Sequence, residues 1–569
     1  MTGTKLVPRR TDRSSSPESV LIIGGGATGL VTLRNIVEEV GSDSSGSYPL
    51  FAPLLVERRD DVGGVWYWSD STYSLERSIG ADKCQRQSPL FDHAGKPHWP
   101  SPAYLNLRGN VLPEFLEFSG KKMEKPKNDE VFPTLEETHE YLRDFAEPYR
   151  KYIKTGVEVL KVQELPQDRG WQVTLKHWSR ESITAADTIS FTPYIETLTF
   201  DRVIVAAGWY DTPYYPDVPG LAHLASQTSH IHHCKHYRDS TPYVNKRVIV
   251  VGNNNSANEV AAHLAPFNSP QHPVYRSSKS APIEKCPALP DERIKDVGMI
   301  IEYKLVGGKV EVRLVDGSVI SGVDYVILGT GYGQKYTWLH VLTDESRSNG
   351  GEEVEVLTPD ALRATRVPFL YNHALFCKSP RLTLAFVGLV VSYMPFSFND
   401  LLSAWIVGVW SGKITTVPTS IDSRLRFEKD RLEYLYTQRC KTTTPGTTPD
   451  PANPTTYAGY HLIGGSLAEG PPSELHFAAQ LFDELAAADP KRIAKFEYKW
   501  DKEREEKQVG MYRRKKLWLE QNGERIRNDP FDLLGVNRQR YGWLVRELVS
   551  EEWRSRGEEQ GEEGRRANL

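Results

Sequence analysis

The chain has 569 residues, of which 39% are hydrophobic and 25% charged; this composition excludes a disordered chain, a collagen and a coiled-coil rod, and the length leaves room for roughly two to four domains. Seventy Lys and Arg against 74 Asp and Glu give a net charge of −4, so bulk charge offers no footprint for nucleic acid or an anionic membrane. Five cysteines without a CxxC pair exclude a disulfide scaffold and a redox dithiol, and fit a reducing, cytoplasmic compartment.

Residues 1–18 are polar, carry no apolar core of a signal peptide and read as a disordered leader. A continuous apolar run at 20–23 predicts a buried parallel strand. Gly24-Gly25-Gly26-Ala27-Thr28-Gly29 follows, and then Leu30, Leu33, Ile36, Val37 and Val40 recur at helical spacing. Residues 41–48 (GSDSSGSY) read as a loop, and 53–57 as a second strand ending in Glu57. Strand, GxGxxG turn, helix and a terminal acid together predict a dinucleotide cradle. Gly24 permits the tight turn, Gly26 lets the backbone approach a pyrophosphate, and Gly29 lets helix and strand pack closely. The helix N-terminus supplies free N–H groups to the phosphates. Glu57 suits ribose hydroxyls and repels a 2′-phosphate, so this site suits FAD or NAD.

A second unit begins at Arg247, with an apolar run at 248–251, the turn Gly252-Asn253-Asn254-Asn255-Ser256-Ala257 and a helix over 257–264. Asn254 and Ala257 replace two glycines. Asn254 is expected to tolerate positive φ, and Ser256 to bond a phosphate. The strand that should end in an acid reads Val274-Tyr275-Arg276-Ser277-Ser278-Lys279-Ser280 instead. Cations and hydroxyls without a carboxylate suit a 2′-phosphate and favour NADPH. Further apolar runs, 203–208 (VIVAAG) and 326–331 (VILGTG), end in small residues. The window 382–398 reads as a buried strand plus loop rather than a membrane span, 442–460 as an exposed loop, and the charged region from about 494 as a helical wrapping extension.

In this order the segments resemble the flavin-containing monooxygenase family. Glu57-Arg58 followed by Gly63-Gly64-Val65-Trp66 is similar to its ER…GGxW stretch, and Ser101–Asn110 (SPAYLNLRGN) resembles its SPxYxxLxTN segment, with Gly109 in place of Thr. Phe132-Pro133-Thr134 with Tyr141-Leu142, Leu328–Tyr332 (LGTGY) and Leu384–Leu389 (LAFVGL) resemble later family stretches. His233-Cys234-Lys235-His236-Tyr237 is similar to the end of the family fingerprint, although Gln227 and Ser229 stand where Phe and Gly are expected. Tyr237 rather than a Trp-Pro pair sets the chain apart from the related Baeyer–Villiger enzymes.

The resemblance implies an α/β fold with two Rossmann-like domains, the NADPH domain (212–324) inserted into a discontinuous FAD domain (19–211 and 325–500), followed by a charged helical extension (501–569). It implies FAD and NADPH as cofactors, and a small-molecule substrate with O₂. The implied reaction is oxygenation of a soft nitrogen or sulfur nucleophile through a C4a-hydroperoxyflavin, as in N,N-dimethylaniline monooxygenase activity. By the resemblance Asn110 sits beside the flavin as the catalytic amide and Trp66 packs near it. Gly24, Gly26, Gly29, Glu57, Arg58 and Gly64 belong to the FAD site. Gly252, Asn255, Ser256, Arg276, Lys279 and Ser280 belong to the NADPH site. The resemblance allows a homodimer and implies neither a nucleic-acid partner nor a membrane span. Other readings are a Baeyer–Villiger oxygenase, a disulfide reductase (disfavoured without CxxC) and a catalytically silent dinucleotide-binding protein. The run 230–236 invites a metal reading, with His230, His232, Cys234 and His236 on one face if extended. On an extended strand, though, their ends lie about 20 Å apart, at roughly 3.3 Å per residue, too far for one ion.

Overall fold

The computed structural model of the protein describes residues 16–44, 46–68, 89–92, 95–104, 107–127, 130–183, 188–280, 286, 288, 290–333, 336–357, 366–442, 448–451, 454–457, 459–463 and 473–528. Most of the expected leader lies outside them, and Glu18 already belongs to the first strand, Glu18–Ile23. Val20, Leu21 and Ile22 in this strand are fully buried, as a parallel strand covered on both faces requires. It pairs in parallel with Phe51–Val56 on one side and Arg202–Val205 on the other. Leu384–Phe386 extends the same seven-stranded sheet beyond Arg202–Val205. The first sheet is thus assembled from segments on either side of residues 206–369. Helix Ala27–Val37 lies against helix Pro395–Trp410 on this sheet, in one apolar core.

A second, five-stranded sheet is parallel throughout. Val248–Val251 lies at its centre, between Val274–Ser277 and Tyr325–Leu328, with Ile294–Val297 and Ile231–His233 at the edges. Tyr325–Leu328 corrects the boundary expected at 324. Val326 pairs with both Ile231 and Ile249, so the strand belongs to the second sheet. An apolar run does not specify which parallel sheet will bury it. The chain crosses between the sheets at Thr212–Pro213 and Tyr332–Gly333, which pair antiparallel as a short ribbon.

Three other expectations need revision. Residues 41–43 and 46–48 lie within a hairpin, Val40–Asp43 paired with Gly46–Pro49. Its polar composition hides a packing contact, because a Cβ on Gly41 would fall 2.6 Å from the Tyr48 ring. The window 382–398 holds the strand Leu384–Phe386 but then enters helix Pro395–Trp410. Proline's fixed φ and missing N–H suit the first helical position. The region 442–460 contains a 3₁₀ turn, Pro454–Tyr457, with 443–447 outside the described residues. The helical extension is present as Lys502–Asn528, with 529–569 outside the described residues. No helix among the described residues is long and apolar enough to cross a membrane.

Candidate active site

The first turn sits where the strand Glu18–Ile23 ends. Gly24 has φ +112, and a Cβ there would lie 2.5 Å from the Ala206 carbonyl oxygen. Gly29 is tighter, since its Cβ would fall 1.8 Å from the Gly24 oxygen. Gly26 differs from both. Its φ of −79 is open to any residue, and a Cβ would make ordinary contact with the Gly64 Cα at 3.4 Å. Glycine at 26 therefore keeps the space above the turn clear rather than relieving strain. Gly26 caps helix Ala27–Val37 without a side-chain hydrogen bond, and no acid stands in the first turn. The helix's free N–H groups and positive dipole end thus face a place fit for phosphate.

Glu57 is buried just beyond the strand Phe51–Val56. One of its oxygens accepts from the Gly25 N–H at 2.7 Å and the other from the Arg59 N–H at 2.9 Å. The Gly63 N–H donates to the Gly25 carbonyl at 2.9 Å, and the turn Gly64–Trp66 packs over Gly26, with Trp66 against the core beneath. Arg58 points elsewhere. It forms a forked pair with Asp211, at 2.6 and 3.3 Å, beside the crossing ribbon. Lys235 Nζ reaches the same carboxylate at 3.2 Å. Burial opposes the Asp211 charge, but the two cations outweigh it and hold the carboxyl well below the usual carboxylate range.

The second turn repeats the first with the small residues exchanged. Gly252 has φ +127 and abuts the Gly329 carbonyl, as Gly24 abuts that of Ala206. Ala257 stands where Gly29 stands. Its methyl is accommodated because Gly329 has none, and a Cβ on Gly329 would lie 2.7 Å from it. The first cradle places glycine on the helix and alanine on the facing strand end, whereas the second reverses them. Loss of the last glycine is therefore compensated by VILGTG in place of VIVAAG. The reason expected for Asn254 is overturned, because its φ is −93. It caps helix Asn255–Leu264 without a side-chain hydrogen bond, again with no acid in the first turn.

Asn255 opens that helix, and Ser256 is exposed beside it. The Asn253 amide donates to the Ser280 carbonyl at 2.6 Å and to its hydroxyl at 3.3 Å, drawing Ser280 over the turn. Lys279 is exposed next to it. Arg276 is buried below and committed elsewhere. Its guanidinium binds both Asp296 oxygens, at 2.7 and 2.9 Å, and the Asn258 oxygen at 3.1 Å. Asn258 in turn donates to the Asn253 carbonyl at 3.1 Å. The structure thus places Arg276 under the cradle as a support, with its charge balanced by Asp296. Alternation along the strand turns its side chain inward.

Residues 99–104 and 107–110 run between the two cradles. The Ser101 hydroxyl donates to the Val65 carbonyl. The Tyr104 hydroxyl donates to the Glu259 carboxylate on the second-cradle helix, and burial raises the Tyr104 pKa well above its usual value. The Gly109 N–H donates to the Pro133 carbonyl at 2.8 Å, which leaves Asn110 half-buried at the end of this segment. The histidines are separately employed. His230 meets the Asp324 carbonyl and His232 the Tyr243 hydroxyl, both at 2.8 Å. His233 meets the Gly331 carbonyl at 3.0 Å and accepts from the Lys235 N–H, and burial pushes its pKa down to about 3. Sequence reasoning missed Asp211, Lys235 and Glu259 because their partners are remote. Arg58 and Asp211 are 153 residues apart, and the one available signal was a lysine inside the HHCKHY fingerprint.

This architecture defines an α/β protein with two Rossmann-type cradles, one of them inserted in the chain of the other. A family model described as pyridine nucleotide-disulphide oxidoreductase matches residues 116–371. The described cysteines, Cys234, Cys286, Cys377 and Cys440, are all free. The flavin-containing monooxygenase FMO GS-OX2 of Arabidopsis thaliana is 26% identical over 420 residues, covering 71% of this chain and 76% of its own. Flavin-containing monooxygenase ustF2 of Aspergillus flavus is 24% identical over 449 residues, covering 72% and 85%. Among solved structures, S-allyl-L-cysteine S-oxygenase from Allium sativum aligns with a TM-score of 0.58 at 22% identity, over 88% of this chain and 99% of its own. Tmm from Pelagibacter sp. strain HTCC7211 aligns at 0.54 and 20%, over 83% and 86%. The chain is thus similar to flavin-containing monooxygenases over 71–72% of its length.

Proposed function

We propose that the protein is an FAD-dependent, NADPH-consuming monooxygenase that oxygenates a soft nitrogen or sulfur nucleophile in a small organic molecule. One observation carries this reading: two helix N-termini without capping side chains, each behind a parallel strand and a glycine of positive φ, with opposite charge beside them. Glu57 beside the first suits ribose hydroxyls, while exposed Lys279 with Ser280 beside the second suits a 2′-phosphate. The reading is of a flavin dinucleotide in the first cradle and NADPH in the second. Bound there, the flavin supplies hydride acceptance and oxygen activation, which no side chain in the chain offers.

The chain's own part is binding, orientation and shielding. The helix amides hold the phosphates, and Gly26 lets the backbone approach them. Asn110 offers an uncharged amide that both donates and accepts, so it can serve a cofactor or oxygen partner without a change of charge. His233, neutral at ordinary pH and tied to Gly331, braces the crossing ribbon instead of exchanging protons. The experiment is NADPH oxidation by the purified yellow protein, followed with flavin spectra over amines, thiols, sulfides and ketones. Faster NADPH consumption with an amine or sulfide, together with its oxide as product, is the expected result. Ester or lactone from a ketone would reassign it as a Baeyer–Villiger enzyme. A colourless protein that refuses added flavin would sink the reading.

A further inference from the structure

Helix Lys502–Asn528 carries none of the nucleotide motifs, yet Arg504, Gln508, Met511, Tyr512 and Lys515 form a buried face at helical spacing. One end of this face is anchored by Arg504, which donates to the Ser397 hydroxyl at 2.7 Å and lies over the rings of Tyr498, Trp500 and Phe115. Farther along, the face meets the segment that holds Asn110. Met511 Sδ accepts from the Leu112 N–H at 3.3 Å. One turn later, Lys515 Nζ donates to the Gly109 carbonyl at 3.4 Å. Trp518 Nε1 donates to Glu130 at 2.9 Å. The helix therefore holds the backbone on both sides of Asn110, at 109 and at 112.

Lys515 is the unusual member. It is only 6% exposed, and no carboxylate lies within ion-pair distance of its ammonium among the described residues. The cation sits 4.9 Å from the rings of both Phe132 and Trp518. Glu259 and Glu130 attract the charge from beyond that distance, but a buried cation without a contacting anion is still expensive, and methionine or leucine would fill the same space without that penalty. What the charge adds is a long hydrogen bond to the Gly109 carbonyl, at 3.4 Å, and attraction to two ring faces.

We propose that Lys515 is a positioning residue which, with Met511 one turn away, fixes the 109–112 segment and so aims Asn110; the consequence for turnover rests on the function proposed above, whereas the bracing does not. The test uses Lys515→Met and Lys515→Arg in the flavin-loaded full chain, read by amide hydrogen exchange and by peroxide released per NADPH consumed. In Lys515→Met, amides 110–112 should exchange at least tenfold faster while amides 504–511 keep their protection. Peroxide yield should rise severalfold at unchanged flavin content and unchanged NADPH KM. Lys515→Arg should restore both measurements at least halfway. Unchanged exchange at 110–112 overturns the proposal, as does a rise spread equally along the helix, which would mark a packing role alone. Faster exchange with unaltered peroxide yield overturns the link to Asn110. A parent protein that binds flavin but consumes no NADPH defeats the proposed function instead, and hydrogen exchange then decides the bracing by itself.

Discussion

Replacing Gly26 and Gly29 by alanine, one at a time, separates the two services a glycine performs in the first cradle. At Gly29 the added methyl would stand 1.8 Å from the Gly24 carbonyl oxygen, more than an ångström inside any tolerable contact. The obstacle is backbone, held between a buried strand and a buried helix, so relief requires moving the turn or the helix start. Overpacking of this kind costs about 1–3 kcal/mol or more, a melting decrease of several degrees for a unit of this size, and the displaced turn should bind flavin poorly. At Gly26 the methyl meets only Gly64 Cα at 3.4 Å, with φ already at −79. The expected loss of stability is below about 1 kcal/mol, from the poorer cap alone. That methyl nevertheless projects into the space the phosphates need, and flavin affinity should fall at least tenfold, about 1.4 kcal/mol. The assay pairs thermal unfolding of the flavin-free protein with a flavin fluorescence titration. A Gly26→Ala protein that binds flavin as tightly as the parent refutes the close-approach argument, and a Gly29→Ala protein with parental melting and affinity refutes the packing argument.

Asn110→Ala should keep its flavin but release peroxide instead of oxygenated product; unchanged coupling would remove Asn110 from the chemistry. Lys279→Ala should raise the NADPH KM about tenfold and leave the NADH KM alone, whereas Arg276→Met should lower stability, because it leaves Asn258 and the second turn unsupported; equal NADPH KM in parent and Lys279→Ala would place the 2′-phosphate elsewhere. Acid should weaken the fold through His233 and His461, both fully buried and pushed down by that burial to about 3. Both are neutral when folded and titrate near the usual 6.5 when unfolded, so their contribution is complete above about 6.5 and is lost as pH falls toward 3. Between pH 7.5 and 5.5 each should cost about 1 kcal/mol, and a urea midpoint equal at the two pH values would contradict this.

Both strand–turn–helix units were legible in the sequence because their physics is local. A buried strand, a glycine at its end and an amphipathic helix act on one another within about ten residues, so a linear pattern contains the whole device. The acid after the second strand of the first cradle, and its absence from the second, could be read for the same reason. Tertiary structure decided what depends on remote partners. It took Tyr325–Leu328 into the second sheet through Ile231 and Ile249, turned Arg276 inward to Asp296, and joined Arg58 to Asp211 and Lys235. It also laid the charged C-terminal helix along the Asn110 segment. An apolar run or a lone arginine has many equally good partners along the chain, and only the packed arrangement of all of them selects one.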